Sequence, residues 1–145
     1  PVPIEIYFAR EADEDGGVLQ AVTRNVSSPA TESAVLDALF LDTPTGAERD
    51  EGLVTAIPTA TRQVRPPRRE DGGVLQVSLT AGLLDVEGET LKLAFGQIVC
   101  SMTALESVRR VTFVVDGEPV PAIDGAGEQA TGPVSCSDYR NLVAD

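Results

Sequence analysis

A chain of 145 residues, 42% hydrophobic with a mean hydropathy of +0.01, is sized for one domain around a single core. Eleven Lys and Arg against 23 Asp and Glu leave a net charge of −12, so nucleic acid and a bare anionic membrane are not expected partners. His is absent, which excludes Ser-His-Asp and Cys-His catalysis and imidazole-bound zinc, and two Cys cannot form a four-thiolate site.

In Val2-Pro3-Ile4-Glu5-Ile6-Tyr7-Phe8 the apolar Ile4, Ile6 and Phe8 alternate with other residues and predict a strand. The polar stretch Glu11-Ala12-Asp13-Glu14-Asp15-Gly16-Gly17 then leads into Val18-Leu19-Gln20-Ala21-Val22-Thr23-Arg24-Asn25-Val26, a hairpin with a long loop. Ser28-Pro29 offers an N-cap and a first helical residue. The helix is expected over 31–41, with Val35, Ala38 and Leu39 on one face, and to stop before Pro44.

A second round follows. Leu53-Val54-Thr55-Ala56-Ile57 and Thr61-Arg62-Gln63-Val64-Arg65 are extended, Arg68-Arg69-Glu70-Asp71-Gly72-Gly73 reads as a turn, and Val74-Leu75-Gln76-Val77-Ser78-Leu79 as the returning strand. After Gly88 the longest helix is expected over 89–106. Arg110-Val111-Thr112-Phe113-Val114-Val115 is a last strand closed by the turn Asp116-Gly117-Glu118-Pro119, and the Gly-, Ala- and acid-rich segment 121–133 is expected to lie loosely on the surface. Glu14-Asp15-Gly16-Gly17-Val18-Leu19-Gln20 recurs letter for letter as Glu70-Asp71-Gly72-Gly73-Val74-Leu75-Gln76, by duplication or by convergence on one good turn sequence. The order ββα-ββα-β predicts an α+β two-layer domain over 1–120, two helices on one face of a mixed or antiparallel sheet, with a C-terminal tail over 121–145 packed on it.

The cysteines follow from the second helix. Leu91, Phe95, Ile98, Met102 and Leu105 form one stripe at about 100° per residue, which places Cys100 nearly opposite and facing outward. An outward thiol is unusual for a free Cys, and Cys136 lies in a tail with little core of its own. The economical reading is a Cys100–Cys136 disulfide pinning the tail across the helix, and with it an oxidising compartment outside the cytoplasm. The alternatives are two unrelated thiols or a redox-active pair, although no Cys-X-X-Cys motif surrounds Cys100.

Other candidate chemistry is sparse. Asp13-Glu14-Asp15-Gly16 gathers carboxylates of the kind a hard cation prefers, but runs into Gly-Gly without an EF-hand pattern and reads as a solvated hairpin tip; no metal ligand is assigned. Gly16-Gly17 and Gly72-Gly73 enter strands, not helices, so they are turns and not phosphate cradles. No spacing singles out a carboxylate pair, and six aromatics without Trp are too few for a sugar-binding strip. No catalytic residue and no cofactor are expected. Arg62, Arg65, Arg68 and Arg69 fall within eight positions, and Arg109 and Arg110 enter the last strand. The cluster is either a partner-binding patch or the charged guard of an edge strand, and Pro66-Pro67 argues for an edge or a projecting loop. No apolar run approaches the about 20 residues that span a bilayer. The chain opens at Pro1 rather than Met, the mark of a processed or trimmed chain.

Several segments together resemble the GerMN domain of sporulation and spore-germination proteins, also found in actinobacterial envelope lipoproteins. They are Val2 to Phe8; Ala34 to Leu41 with Pro44 and Gly52 leading into Thr55-Ala56-Ile57-Pro58; Gly73 to Leu79; Ala94-Phe95-Gly96-Gln97-Ile98-Val99; and Val111-Thr112-Phe113-Val114-Val115-Asp116-Gly117. Thr43-Pro44 stands where Gly-Pro is common, and Ser78-Leu79-Thr80 replaces Asp-Leu-Ser, departures that mark a divergent member. The resemblance implies a non-enzymatic scaffolding or interaction module outside the cell membrane. Its partner would be an envelope protein or a second copy of itself, and its contact with the membrane only a lipidated cysteine upstream of Pro1. The alternative is a domain binding a cell-wall polymer, through the arginine cluster, or a metal ion, through the acidic turn.

Overall fold

In the computed structural model, which describes residues 1–13, 16–42 and 44–144, the alternation of Ile4, Ile6 and Phe8 builds a long strand, β1 (Val2–Asp13), paired antiparallel with β2 (Gly16–Val26). The acidic turn weighed as a cation site is centred on Glu14 and Asp15 and lies outside the described residues, as does Thr43. The hairpin is buried on both faces: Ile4, Ile6 and Phe8 on one, Ala9 and Leu19 on the other.

Helix α1 (Glu32–Leu41) starts later than Ser28-Pro29 suggests, because Thr31 is the N-cap and its Oγ1 accepts the Ala34 N–H at 3.1 Å. Val35, Leu36 and Leu39 are its buried residues. A short helix not foreseen, α2 (Gly46–Asp50), carries a capping box in which Thr45 Oγ1 accepts the Glu48 N–H and Glu48 Oε1 accepts the Thr45 N–H. Glu48 also holds Arg24 of β2 through two hydrogen bonds of 2.8 and 2.6 Å, and the Arg24 guanidinium lies 5.4 Å from the centre of the Phe8 ring.

The strands divide between two sheets. Strand β3 (Leu53–Val54) does not join the second hairpin, but pairs with Ala9 and Arg10 and completes a three-stranded antiparallel sheet in the order β2-β1-β3. The second sheet runs β4-β5-β6-β7, with β4 (Gln63–Glu70), β5 (Val74–Leu79), β6 (Arg110–Val115) and β7 (Glu118–Val120). Arg68 and Arg69 belong to β4 rather than to a turn, because the turn needs only residues 71–73. Pro66 and Pro67 sit in this edge strand where its register slips between Arg65 and Arg68, a placement that needs no N–H from either. Residues 118–120 form β7 because Asp116 and Gly117, at φ of 52° and 82°, make a two-residue turn that returns the chain as a tight hairpin.

Strands β5 and β6 are parallel and are joined through α3 (Gly88–Thr103). The apolar stripe of α3 faces the second sheet, where Phe95 meets Phe113 edge-on at 4.9 Å. Its opposite face is not outward. It packs on the first sheet and the C-terminal segment, so every residue from Leu93 to Met102 is buried, Cys100 included at 1% exposed. A Cβ at Gly96 would lie 2.7 Å from Leu19 Cδ1 and 3.2 Å from the Tyr139 ring, so any larger residue here would have to displace both side chains.

The segment after β7 is more tied down than its composition suggests. Val134 exchanges both backbone hydrogen bonds with Val111, Asp124 and Ala130 fold back through backbone bonds, and Ala122 and Val134 are buried. Tyr139 is fully buried, and its hydroxyl donates to the Ile123 carbonyl at 2.6 Å. Beyond it, the Leu19 N–H donates to the Leu142 carbonyl and the Ala144 N–H to the Leu19 carbonyl, so the tail extends the edge of β2. The Cys100–Cys136 disulfide joins this tail to α3, with the two Cα atoms 4.6 Å apart. The two copies of the repeated heptapeptide end in strands of different sheets, and Gly72 and Gly73 take positive φ where Gly17 lies in β2.

Candidate protein interface

The four clustered arginines do not act together. Register decides their directions, because Arg69 lies opposite buried Leu75, whereas Arg65 and Arg68 lie opposite Ser78 and Gln76 on the outer face of the sheet. Arg69 therefore turns toward α1, where its Nε donates to Glu32 Oε2 at 2.6 Å. Burial pushes the Glu32 carboxyl up, but hydrogen bonds from its backbone, Arg69 and Ser107 outweigh this and leave it below the usual range. Gln63, on the same side, donates to Ser33 O and Asp37 Oδ1, so β4 is fastened to α1 at both ends. Arg62 folds onto its own loop, donating to the carbonyls of Thr59 and Thr61 at 2.7 Å each.

What remains for a partner is Arg65 and Arg68, joined by Arg110, which lies opposite Val74 on the same outer face. Arg68 approaches Glu70 at only 3.8 Å and stays 71% exposed, so the carboxylate does not occupy it. Between the arginines run Gln76, Ser78 and Thr112, and the Thr112 Oγ1 is buried without a hydrogen-bond partner among the described residues. The face is thus cationic at its edges, with Gln76 and Thr112 between them, buried Ser78 alongside, and Val74 and Val114 on the same side, on a chain of net charge −12.

Two functional-looking residues escape a reading based on apolar periodicity. Gln97 and Ser101, both fully buried, stand one turn apart on a flank of α3 beside its stripe. The Tyr7 N–H donates to Ser101 Oγ at 2.9 Å, Gln97 Nε2 donates to the Tyr7 carbonyl at 3.0 Å, and the Ala56 N–H donates to Gln97 Oε1 at 2.6 Å. These side chains take the place of a strand where β3 leaves β1. The signal for them is polarity at i and i+4 on a helix otherwise apolar around most of its circumference. They are structural clamps in the core, and their amide and hydroxyl groups are already hydrogen-bonded.

Among the described residues no group of three or more His, Cys, Asp or Glu is placed to hold a metal ion. The carboxyls held below their usual range have structural partners: Arg24 for Glu48, Lys92 and the Gly17 N–H for Glu89, and the Glu32 set above. Among the described residues no helix is long and apolar enough to cross a membrane.

The model of the Germane family, described as sporulation and spore germination, matches residues 5–121. No curated protein matches the chain. Among solved structures, the tandem GerMN domains of the sporulation protein GerM from Bacillus subtilis match at 22% identity with a TM-score of 0.64. That match covers 80% of this chain and 39% of the other, so the chain spans about two fifths of that relative's length. The first GerMN domain of GerM matches at 17% identity with a TM-score of 0.62, covering 95% and 96% of the two chains. A Clostridium perfringens protein named as a lipoprotein matches at 16% identity with a TM-score of 0.57, covering 97% and 91%. At these identities the likeness to the solved structures is one of fold, and the family rests on the match over residues 5–121. The chain belongs to the Germane family of sporulation and spore germination.

Proposed function

We propose that the chain is a non-enzymatic interaction module of the cell envelope, working outside the cytoplasm, and that it docks an acidic protein surface on the outer face of the second sheet. The carrying observation is that face: Arg65, Arg68 and Arg110 around Gln76 and Thr112, on a strongly acidic molecule. Such segregation steers an oppositely charged partner and repels like-charged neighbours. Family membership supports the envelope setting, as does the likeness to a protein named as a lipoprotein. The Cys100–Cys136 disulfide supports an oxidising compartment. Anchoring through a lipid on a residue upstream of Pro1 belongs to the same proposal.

Crosslinking in intact cells tests the docking reading. A photo-reactive residue at Gln76 should capture one specific partner in the wild type and lose it in Arg65→Glu/Arg68→Glu, while the same probe at exposed Glu128 captures nothing. Capture unchanged by the charge reversal would refute it. The face would also suit an anionic wall polymer. Cosedimentation of the wild type with purified cell wall, lost in Arg65→Ser/Arg68→Ser, would replace the protein partner by that polymer. Compartment is read separately: maleimide labelling of unreduced protein in intact cells should leave both sulfurs unmodified, and labelling of both would refute the oxidised, extracytoplasmic assignment.

A further inference from the structure

The first sheet has a short open edge, and its surroundings say what fits it. In β1 the backbone groups of alternate residues point away from β2. Those of Tyr7 are taken by Ser101 and Gln97, and Ala9 is covered by β3. By the same alternation the Glu5 N–H and C=O and the Pro3 C=O point to the same side, and no hydrogen bond from the described residues reaches them. That side opens on a cleft of about 800 Å³. Val2 to Glu5 of β1 line it, Thr23 of β2 and residues 28–30 continue the wall on the β2 side, and Ala104 and Leu105 lie at the end of α3.

We infer that this edge takes an extended peptide strand from a basic segment of a partner protein, added antiparallel beside β1 with a Lys or Arg opposite Glu5. The surface is separate from the arginine face, so the two proposals stand or fall independently. Backbone groups supply the affinity: the incoming residue opposite Glu5 gives its N–H to the Glu5 carbonyl and accepts the Glu5 N–H. Charge supplies the selection. Among the described residues Glu5 is the one Asp, Glu, Lys or Arg on the cleft wall, beside the neutral Tyr7 phenol, and α3 ends there with no basic residue in its last turn, so its terminal carbonyls add negative potential. A second copy of this chain fits less well, since antiparallel pairing centred on Glu5 would set two Glu5 carboxylates side by side, and like charges directly opposite are destabilising. Pro3 narrows the register further, because it accepts but cannot donate.

The test titrates the isotopically labelled protein with the acetylated, amidated peptide Thr-Val-Lys-Val-Thr and follows amide shifts. Saturable shifts are expected at Glu5, Ser101 and Cys136. Replacing the central Lys by Glu should weaken binding roughly three- to tenfold, and N-methylating that Lys should abolish it. In the protein, Glu5→Lys should invert the preference between the two peptides. Glu5→Pro should abolish binding and leave other shifts in place, because the N–H it removes is not in the β1–β2 ladder. If Glu5→Pro fails to fold, Glu5→Lys carries the decision. No saturable shift with the Lys peptide, equal binding of its N-methylated form, or shifts confined to the Arg65 and Arg68 face would overturn the inference. A wild-type dimer by sedimentation that Glu5→Pro dissolves would overturn it in favour of a second copy.

Discussion

Removing the Cys100–Cys136 crosslink should destabilise the domain chiefly through its unfolded state. The loop closes over a separation of 36 residues, for which the chain-entropy relation gives about 4 kcal/mol at 25 °C. A domain of this size has roughly 5–15 kcal/mol in all, so the loss would be large. The folded tail has other anchors that survive reduction: buried Tyr139 with its hydroxyl on Ile123, the Leu142 and Ala144 bonds to Leu19, and the Val111–Val134 bridge. The native structure should therefore change little while the unfolded chain gains freedom. Urea unfolding of Cys100→Ala/Cys136→Ala should show a loss of about 3–4 kcal/mol with an increased m-value, since the released chain exposes more surface. Reduced wild type serves as the control, separating the crosslink from the buried Cys100 sulfur, whose removal adds about 1 kcal/mol. A loss below about 1 kcal/mol would refute the entropic reasoning. So would limited proteolysis that releases the tail from an otherwise folded domain, because the disulfide would then be acting as a native-state staple.

Glu48 gives a pH prediction. The Arg24 guanidinium hydrogen-bonded to it holds its carboxyl at about 2 against an ordinary 4.5. A depressed folded-state pKa contributes stability that is complete above the unfolded value and lost as pH falls toward the folded one. Glu48→Gln should thus cost about 1–2 kcal/mol at pH 7, discounted for solvent around the pair, and little near pH 2, measured by urea titrations at each pH. Thr61 is fully buried and its Oγ1 has no partner among the described residues, so Thr61→Val should raise stability by about 1 kcal/mol, read as a higher thermal midpoint. Gln97→Leu keeps the volume but strands the Tyr7 carbonyl and the Ala56 N–H, and should cost about 2–4 kcal/mol with faster hydrogen exchange at Ala56.

How much of this was legible follows from what each signal encodes. Period-two alternation placed β1, β5 and β6, because those strands bury one set of residues against the core and their Ile, Leu, Val and Phe report it directly. The α+β class and the element order came with them. The division into two sheets was hidden because Leu53-Val54 is as extended whichever neighbour it joins, and only the tertiary position of Ala9 and Arg10 assigns it to β1. Helix α3 shows a different limit. Its stripe correctly named one packed face, but amphipathicity assumes that the other face meets water, and here it meets Leu19, Tyr139 and Cys136. The same assumption turned Cys100 outward, although the reasoning that an unburied Cys needs a partner led to Cys136. Residues 121–133 read as loose because Gly, Ala and acids say nothing about backbone pairing, which is what orders them.

The charge distribution shows why clustering in sequence was a poor guide to the interface. Among the described residues, six of the eleven basic side chains are held closely within the fold, Arg10, Arg24, Arg49, Arg62, Arg69 and Lys92, while Arg68 reaches Glu70 only at 3.8 Å. Four of the other five, Arg65, Arg68, Arg109 and Arg110, sit on or beside the second sheet, with Arg110 opening β6 and Arg109 just before it. Four neighbours in sequence thus become two ties and two free cations, and the free ones acquire a third across two strands in Arg110. An edge strand guarded only against unwanted pairing would need charge along its rim. Arg110 is two strands inward from the β4 rim and cannot guard it. Past Arg110 the far side of β6 is covered by the Val111–Val134 bridge and then by β7, so what supports the proposed acidic partner is the alignment of Arg110 with Arg65 and Arg68 on one face of the sheet.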